Sequence, residues 1–266
     1  MSTASFKIPR HWWGKIIGGL IGLFRGGLSG VLIGALLGHM VDRFLVGIKG
    51  VGAAQQAFFD ALFSSLGHLS KADGQVTQAE VRMAEDLMRR MQISGEHRQR
   101  AIRLFNQGKQ PDFDLDAALQ TFAQHSAARP DLRRMFMEIL VEAGFSSGRL
   151  TSAEHAVLLN VARILHISGE LFSAMLNARG AGRASSSGAR RVTNVVTLEQ
   201  AYAQLGLTRE ASDAEIKRAY RKLVSQYHPD KLVSHGLPEE MMDIAKDRVR
   251  DVNLAYDQIK QARGFK

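Results

Sequence analysis

Positions 228–230 carry a histidine, a proline and an aspartate in succession, directly after a strongly basic stretch. An imidazole and a carboxylate are common groups in acid–base catalysis. Here, however, His228 and Asp230 stand two residues apart across a rigid proline, so neither side chain can orient the other for proton transfer. We therefore predict no catalytic residue. Taken alone, the tripeptide could be an ordinary turn that closes a solvated basic helix.

The stretch 212–227 is the predicted helix that positions the tripeptide. Ser212 and Glu215 have the spacing of a capping box, in which each side chain satisfies a free backbone N–H group. Because a proline disfavours helical geometry in the residue before it, His228 should end the helix and open a loop. Apolar residues at helical spacing form one stripe that should be buried, namely Ile216, Ala219, Tyr220, Leu223 and Tyr227. The solvent face carries only positive charge, on Lys217, Arg218, Arg221 and Lys222.

Two further predicted helices flank this one. The short helix within 197–207 begins with a second capping box, formed by Thr197 and Gln200. The longer helix, over 238–261, has apolar residues at alternating spacings of three and four. This periodicity predicts that the two longer helices pack antiparallel, with the tripeptide loop at one end of the pair.

The segment 197–266 resembles the J domain of DnaJ-type co-chaperones, whose second helix reads much like KRAYRKL followed by YHPD. The resemblance implies a DnaK-type chaperone as partner, an electrostatic encounter through the basic helix, and stimulation of the partner's ATP hydrolysis through the tripeptide. The residues that it implies for partner binding are Lys217, Arg218, Arg221, Lys222, His228, Pro229, Asp230 and Lys231. Since the chain lacks a phosphate loop, we expect neither an enzyme nor a cofactor.

The N-terminal segment is predicted to be a transmembrane helix over 15–41, preceded by a short tail over 1–14. Its run of apolar and glycine residues is long enough to cross a bilayer as a helix. Within 16–37, only Arg25 is charged. Glycine recurs every fourth residue, at Gly14, Gly18, Gly22, Gly26, Gly30, Gly34 and Gly38. Small residues let helix backbones approach closely in lipid, so we predict a homodimer through this stripe. The alternative is general small-residue packing against another protein.

The charges that flank this segment weakly favour the reverse of the orientation that we predict. Lys7, Arg10 and Lys15 precede the helix, and Arg43 and Lys49 follow it. A J domain, however, is useful only where an ATP-driven partner exists, which is the cytoplasm. We therefore predict a single-pass protein of the bacterial inner membrane, with a periplasmic N-terminal tail and cytoplasmic C-terminal domains.

The middle segment, 55–179, is predicted to be an all-α bundle that contains an internal repeat. Residues 71–94 align without gaps on 145–168, and each copy is a turn followed by a helix with a Thr–Glu capping box, Thr77 with Glu80 and Thr151 with Glu154. The acidic turn resembles that of the tellurite-resistance TerB-like domain. The order of membrane helix, TerB-like domain and J domain resembles the membrane-anchored DnaJ-like co-chaperones of the DjlA type. We expect no metal site, because the oxygen ligands of a calcium loop are missing.

Residues 180–196 are predicted to be a flexible linker, rich in glycine, serine and alanine, on which the J domain should swing. The chain has no cysteine, which excludes disulfides and the paired-cysteine zinc modules. Its net charge of +9 suggests an anionic partner or contact with membrane lipid. No nucleic-acid motif accompanies this charge, so we do not expect nucleic acid as a partner. Alternative functions are a dimeric membrane scaffold or envelope-stress signalling protein, in which the J domain is accessory, and a metal- or oxyanion-stress protein.

Overall fold

The structure is a computed structural model that describes residues 36–37, 51–74, 78–184 and 197–265, with side chains described as far as 179 in the third range. All regular elements in these ranges are helices, which confirms the predicted all-α fold class. Most of the predicted transmembrane helix and all seven of its striped glycines lie outside the described residues. Within the described ranges, no helix is long and apolar enough to span a bilayer.

The described helices fall into a middle domain, α1 to α7, and a J domain, α8 to α11. The middle domain contains α1 (51–71), α2 (Gln78–Arg90), α3 (Gly95–Gly108), α4 (Leu115–His125), α5 (Pro130–Gly144), α6 (Ser152–Ile164) and α7 (Gly169–Ala184). The J domain contains α8 (Leu198–Gln204), α9 (Asp213–Gln226), α10 (Pro229–Ser234), a 3₁₀ turn (Glu239–Met241) and α11 (Met242–Arg263).

The internal repeat is visible in the backbone of the middle domain. Gly74 and Gly148, which the alignment pairs, both have positive φ, +88° and +108°. Each of the two following helices ends at another matched pair with positive φ, Gln92 at 52° and His166 at 53°. A left-handed residue just after a helix lets the chain turn away while the last carbonyl groups stay hydrogen-bonded. The two copies therefore share both the entry turn and the exit turn of their helix.

The capping box predicted for the second copy is present. The backbone N–H of Thr151 donates to Oε2 of Glu154 at 2.7 Å, and the Glu154 N–H donates to Oγ1 of Thr151 at 3.2 Å. In the first copy, Thr77 lies outside the described residues, while Glu80 is buried in the first turn of α2.

Helix α5 is the centre of the middle domain, because ten of its fifteen residues are buried. Phe136 of α5 packs against Phe58 of α1 and Phe122 of α4, with ring centroids 5.5 Å and 4.6 Å away. Edge-to-face and offset aromatic contacts of this kind stabilise a core beyond the burial of apolar area. The arrangement fixes α5 firmly and leaves one side of it for charged residues.

In the J domain, α9 and α11 form the predicted antiparallel pair. Asp213, at the start of α9, bonds to Arg263, at the end of α11. Further along α9, the Tyr220 hydroxyl donates to Oδ1 of Asn253 at 3.0 Å, and its ring stacks on Tyr256 with centroids 4.1 Å apart. The capping boxes predicted for α8 and α9 are both present.

The J domain packs against the middle domain, and residues 54–266 form one compact unit. This differs from the swinging arrangement that the sequence predicts. Helix α7 also continues to Ala184, five residues into the range predicted as linker. The part of that linker over 185–196 lies outside the described residues. Charged pairs between the two domains, described below, are the physical reason for the difference.

Candidate functional site

The tripeptide lies at a break of a single residue between two helices. Tyr227 caps α9 by donating its N–H to the Leu223 carbonyl at 2.9 Å. His228 then leaves helical geometry, with φ −57° and ψ 121°, and Pro229 starts α10 at its first position. Asp230 lies in the first turn of α10. The prediction that His228 ends the helix is confirmed, but no open loop follows, because the fixed φ of a proline suits the first residue of a helix.

The side chains of this break and of the adjacent helix face solvent. His228 and Asp230 are exposed and Pro229 is half-buried. On α9, the basic residues Arg218, Arg221 and Lys222 are exposed, and none of them forms an ion pair within the part of the chain that the structure describes. The tripeptide and three of the predicted basic residues are therefore accessible to another molecule, on α9 and directly after its end.

Two of the predicted basic residues have a different environment. Lys217 is half-buried, and its ammonium group lies 5.2 Å from the centroid of the Phe265 ring. Lys231, next to the tripeptide, places Nζ 3.0 Å from Oδ2 of Asp131 in the middle domain. These two lysines are thus half-buried and in contact with other groups of the protein, while the other three basic residues are exposed and form no ion pair in the described ranges.

Asp131 of α5 is the carboxylate that receives Lys231. It is buried, and it also accepts a contact from Nδ1 of His235 in the J domain, 2.9 Å from Oδ1. Burial alone would raise the pKa of Asp131, but the hydrogen bonds and positive charge of His235 and Lys231 outweigh it, so the pKa lies below its usual range. No local sequence pattern indicates this pairing, because 100 residues or more separate the partners.

A second contact joins α5 to the end of α9. The buried Tyr227 donates its hydroxyl proton to Oε1 of Glu138, and Nε of Arg134 donates to both groups, at 3.0 Å and 2.9 Å. Burial and the nearby Glu138 carboxylate raise the pKa of Tyr227 far above its ordinary value. The sequence predicts Tyr227 on the buried stripe, but its hydrogen bond to another domain is visible only in the structure.

A third contact is centred on Glu142, also on α5. Its carboxylate receives Arg248 of α11 at 2.6 Å and Arg179 of α7 at 2.5 Å, and Arg90 of α2 lies 3.5 Å away. Burial alone would raise the pKa of Glu142, but the positive charges of Arg248 and Arg179 lower it by a larger amount, so the net shift is downward. This carboxylate therefore stays ionised and links α5 to α11, α7 and α2.

Within the described ranges, no group of three or more metal-ligating side chains is close enough to hold a metal ion. The charged groups at the domain contact are instead paired with one another, and each pair combines a carboxylate with a cation or a hydroxyl. What the arrangement offers another molecule is the exposed basic face of α9 and the adjoining tripeptide.

Comparison with known proteins accounts for all three segments. The models of the DjlA co-chaperone transmembrane domain, the tellurite resistance protein TerB and the DnaJ domain match residues 1–61, 59–177 and 200–263. The co-chaperone protein DjlA of Shewanella oneidensis is 41% identical over 266 residues, that of Yersinia pestis 41% over 277, and that of Escherichia coli K12 39% over 270. Each alignment covers 96% of this chain and the whole relative. No solved structure matches the chain. The chain belongs to the DjlA family of co-chaperones, with a transmembrane, a TerB and a DnaJ domain in that order.

Proposed function

We propose that this protein is a membrane-anchored co-chaperone that binds a DnaK-type chaperone through its J domain and stimulates the partner's ATP hydrolysis. The observation that carries this proposal is that Arg218, Arg221 and Lys222 of α9 are exposed together with His228 and Asp230, which follow directly after that helix. The family supports a co-chaperone role of this kind. The chain is then a regulator of an ATPase and not an enzyme itself.

The basic face of α9 makes the first contact with the partner. Its three exposed cations form no ion pair within the described residues, so their charges are available to an acidic surface on the chaperone. Complementary charge of this sort raises the rate of encounter and orients the two proteins more than it adds to final affinity. The encounter should therefore weaken as salt concentration rises.

The tripeptide then converts docking into stimulation. Asp230 is exposed and supplies a carboxylate for a cationic group on the partner, while the neighbouring His228 presents its imidazole. Pro229 holds the two at a fixed separation as the first residue of α10. The resemblance also implies Lys217 and Lys231 as partner-binding residues. Contacts with Phe265 and Asp131 hold these two lysines in place.

The anchor directs the chaperone to clients at the membrane or in the cell envelope. Residues 15–41 span the bacterial inner membrane once, with the tail over 1–14 in the periplasm and the domains over 55–179 and 197–266 in the cytoplasm, where ATP is available. The glycines at every fourth position bring two such helices together as a homodimer. The Arg-rich linker around 183–191 adds an attraction to anionic lipid.

The test is steady-state ATP hydrolysis by a DnaK chaperone from the same cell, with the full chain added in detergent micelles. We expect stimulation by the native chain and none by the His228→Gln variant. His125→Gln is the matched control, because His125 is exposed on the middle domain and should leave stimulation intact. If the folded native chain gives no stimulation, the co-chaperone proposal is wrong and a membrane scaffold takes its place.

Asp230→Asn separates the co-chaperone from that scaffold in cells. The substitution removes a charge from an exposed side chain, so it should leave folding and membrane anchoring unchanged. A strain that carries this variant should lose the phenotype of the native protein if co-chaperone activity underlies it. A variant that complements fully would favour the scaffold.

A further inference from the structure

The contact between the two domains indicates a role for the middle domain. We propose that it is a rigid mount for the J domain, which it holds through α5 in one docked position that leaves the partner-binding surface open. The proposal rests on the proposed function for the identity of the partner, but the docking itself is independent of it. It replaces the swinging J domain that the linker composition suggests.

All three carboxylates of α5 bind the J domain. Asp131 contacts Lys231 and His235, Glu138 accepts the Tyr227 hydroxyl, and Glu142 pairs with Arg248. Their positions are separated by seven and four residues, which places them on one face of an α-helix along about three turns. One face of α5 is therefore built to receive α9, α10 and α11 together.

Smaller contacts extend the docking surface beyond α5. His97 of α3 places Nδ1 3.1 Å from Oε1 of Glu240, and Gln92 donates to Asp243 at 3.2 Å. On the other side, Gln55 of α1 donates to the Leu237 carbonyl at 3.3 Å. The J domain is thus held by residues from α1, from α3, from the end of α2 and from α5, which leaves it little freedom to rotate.

The backbones also approach closely at one point. Gly236 has φ +100°, and a Cβ atom on it would lie 2.6 Å from Cβ of Ala54 in α1. Both observations require glycine, since a side chain would be strained there and would collide with Ala54. A contact this tight, together with opposite charges paired along α5, defines a single register between the two domains.

This docking leaves the partner-binding surface accessible. The groups that bond to α5 are Gln226, Tyr227, Lys231, His235 and Arg248. Arg218, Arg221, Lys222, His228 and Asp230 remain exposed. Arg218 and Lys222 line a groove of about 760 Å³ that also contains Arg134 of α5 and Leu171 of α7, so open space separates these two cations from the middle domain. Of the residues assigned to partner binding, Lys231 alone bonds to α5 within the described residues.

The experiment locks the docked position and asks whether the protein still works. The chain contains no cysteine, so the double variant His97→Cys with Glu240→Cys has the only two thiols. These two side chains are in contact and accessible, so a short bismaleimide should join them in the full chain in micelles. The control pair is His97→Cys with Asp257→Cys. Asp257 is exposed on α11, about 20 Å along the helix from the end that lies next to Glu240, so the reagent should not join it to position 97.

We expect efficient joining of the first pair only, and stimulation of the chaperone's ATPase by the joined protein within about twofold of the unjoined one. Equal joining of both pairs would contradict the proposed docking, because it would show that the J domain moves relative to the middle domain. Loss of stimulation on joining would also overturn it, and would mean that the docked position blocks the partner. If the unjoined protein itself fails to stimulate, the proposed function fails, while the joining pattern still reports whether the domains dock.

Discussion

The outer face of α9 and the face of α5 that meets the J domain are both rich in charge, but their charges are used differently. On α9, Arg218, Arg221 and Lys222 are exposed and lack ion-pair partners within the described residues. On α5, Glu138 and Glu142 are largely covered. Arg134 of the same helix pairs with Glu138, which also accepts the Tyr227 hydroxyl, and Arg248 of α11 pairs with Glu142. Amino-acid composition alone does not distinguish these two faces. The difference is whether the fold already provides the counter-charge, and only the first face is left for another molecule.

The energetic consequences also differ. Removing an exposed, unpaired charge changes stability little, whereas removing one partner of a covered pair leaves the other without a counter-charge. Substitutions on α9 should therefore affect binding, and substitutions on α5 should affect stability and docking. Four experiments test this division.

Glu142→Gln should have the largest effect. It leaves Arg248, Arg179 and Arg90 together without their carboxylate, and we expect a loss of about 2 kcal/mol, below the value for a fully buried pair because Glu142 is partly exposed. Urea unfolding followed by circular dichroism measures this. The control is Glu96→Gln, which removes an exposed carboxylate of α3 and should change stability by less than about 0.5 kcal/mol. If both substitutions lowered the free energy of unfolding equally, the distinction between covered and exposed charges would be wrong.

Arg218→Glu with Lys222→Glu tests the open face. We expect the association rate with the DnaK chaperone to fall roughly tenfold at low salt and much less at high salt, because steering between exposed charges is screened. Stopped-flow binding at several salt concentrations measures the rate. The matched control is Arg98→Glu with Arg103→Glu, exposed on α3, which changes net charge equally. If both double variants slow binding alike, net charge and not the α9 face steers the encounter.

Tyr227→Phe sharpens the comparison at the border of the two faces. It removes the hydrogen bond to Glu138 and the one from Arg134 but keeps the ring beside Arg134, whose guanidinium carbon lies 5.4 Å from the ring centroid. We expect a loss of about 1 kcal/mol in unfolding free energy and unchanged ATPase stimulation. Tyr256→Phe is the control, since its hydroxyl has no hydrogen bond within the described residues. A stimulation defect with unchanged stability would contradict the assignment of Tyr227 to docking.

Asp131→Asn should have the smallest effect, and one that depends on pH. The pKa of Asp131 is lowered in the folded state, so its carboxylate adds stability above the unfolded-state pKa, near 4, and this addition disappears as pH falls through the lower folded-state value. The difference between native chain and variant should be under about 1 kcal/mol at pH 6, since Lys231 and His235 are partly exposed. Urea unfolding between pH 3 and 7 measures it. A difference that grows toward pH 3 would contradict the sign.

Much of the helical fold follows from the sequence, because its signals are local. The capping boxes at Thr151, Thr197 and Ser212 involve residues three apart, and each is present. The antiparallel pair of α9 and α11 follows from apolar periodicity, which depends only on helix geometry. The helix break at His228 follows from the proline that comes after it.

The docked arrangement could not be predicted, because each of its partners looks like an ordinary surface charge. Glu142 and Arg248 are 106 positions apart, and no local pattern links them. Lys231 reads as one more residue of a basic face until the structure places Asp131 beside it. A linker composition that permits motion likewise says nothing about contacts that prevent it. The family match supports a transmembrane domain, whereas the bounds of its helix, dimerisation through the glycine stripe and the orientation stay predictions.

The one-residue break between α9 and α10 has a consequence for the thermodynamics of binding. A recognition loop that orders on contact loses about 1–2 kcal/mol of conformational entropy for each residue that becomes fixed. His228, Pro229 and Asp230 are already held between two helices, so most of that loss has occurred during folding. Binding then resembles the meeting of two preformed surfaces, so little of the interaction free energy is lost to ordering this segment and the same contacts give a tighter complex.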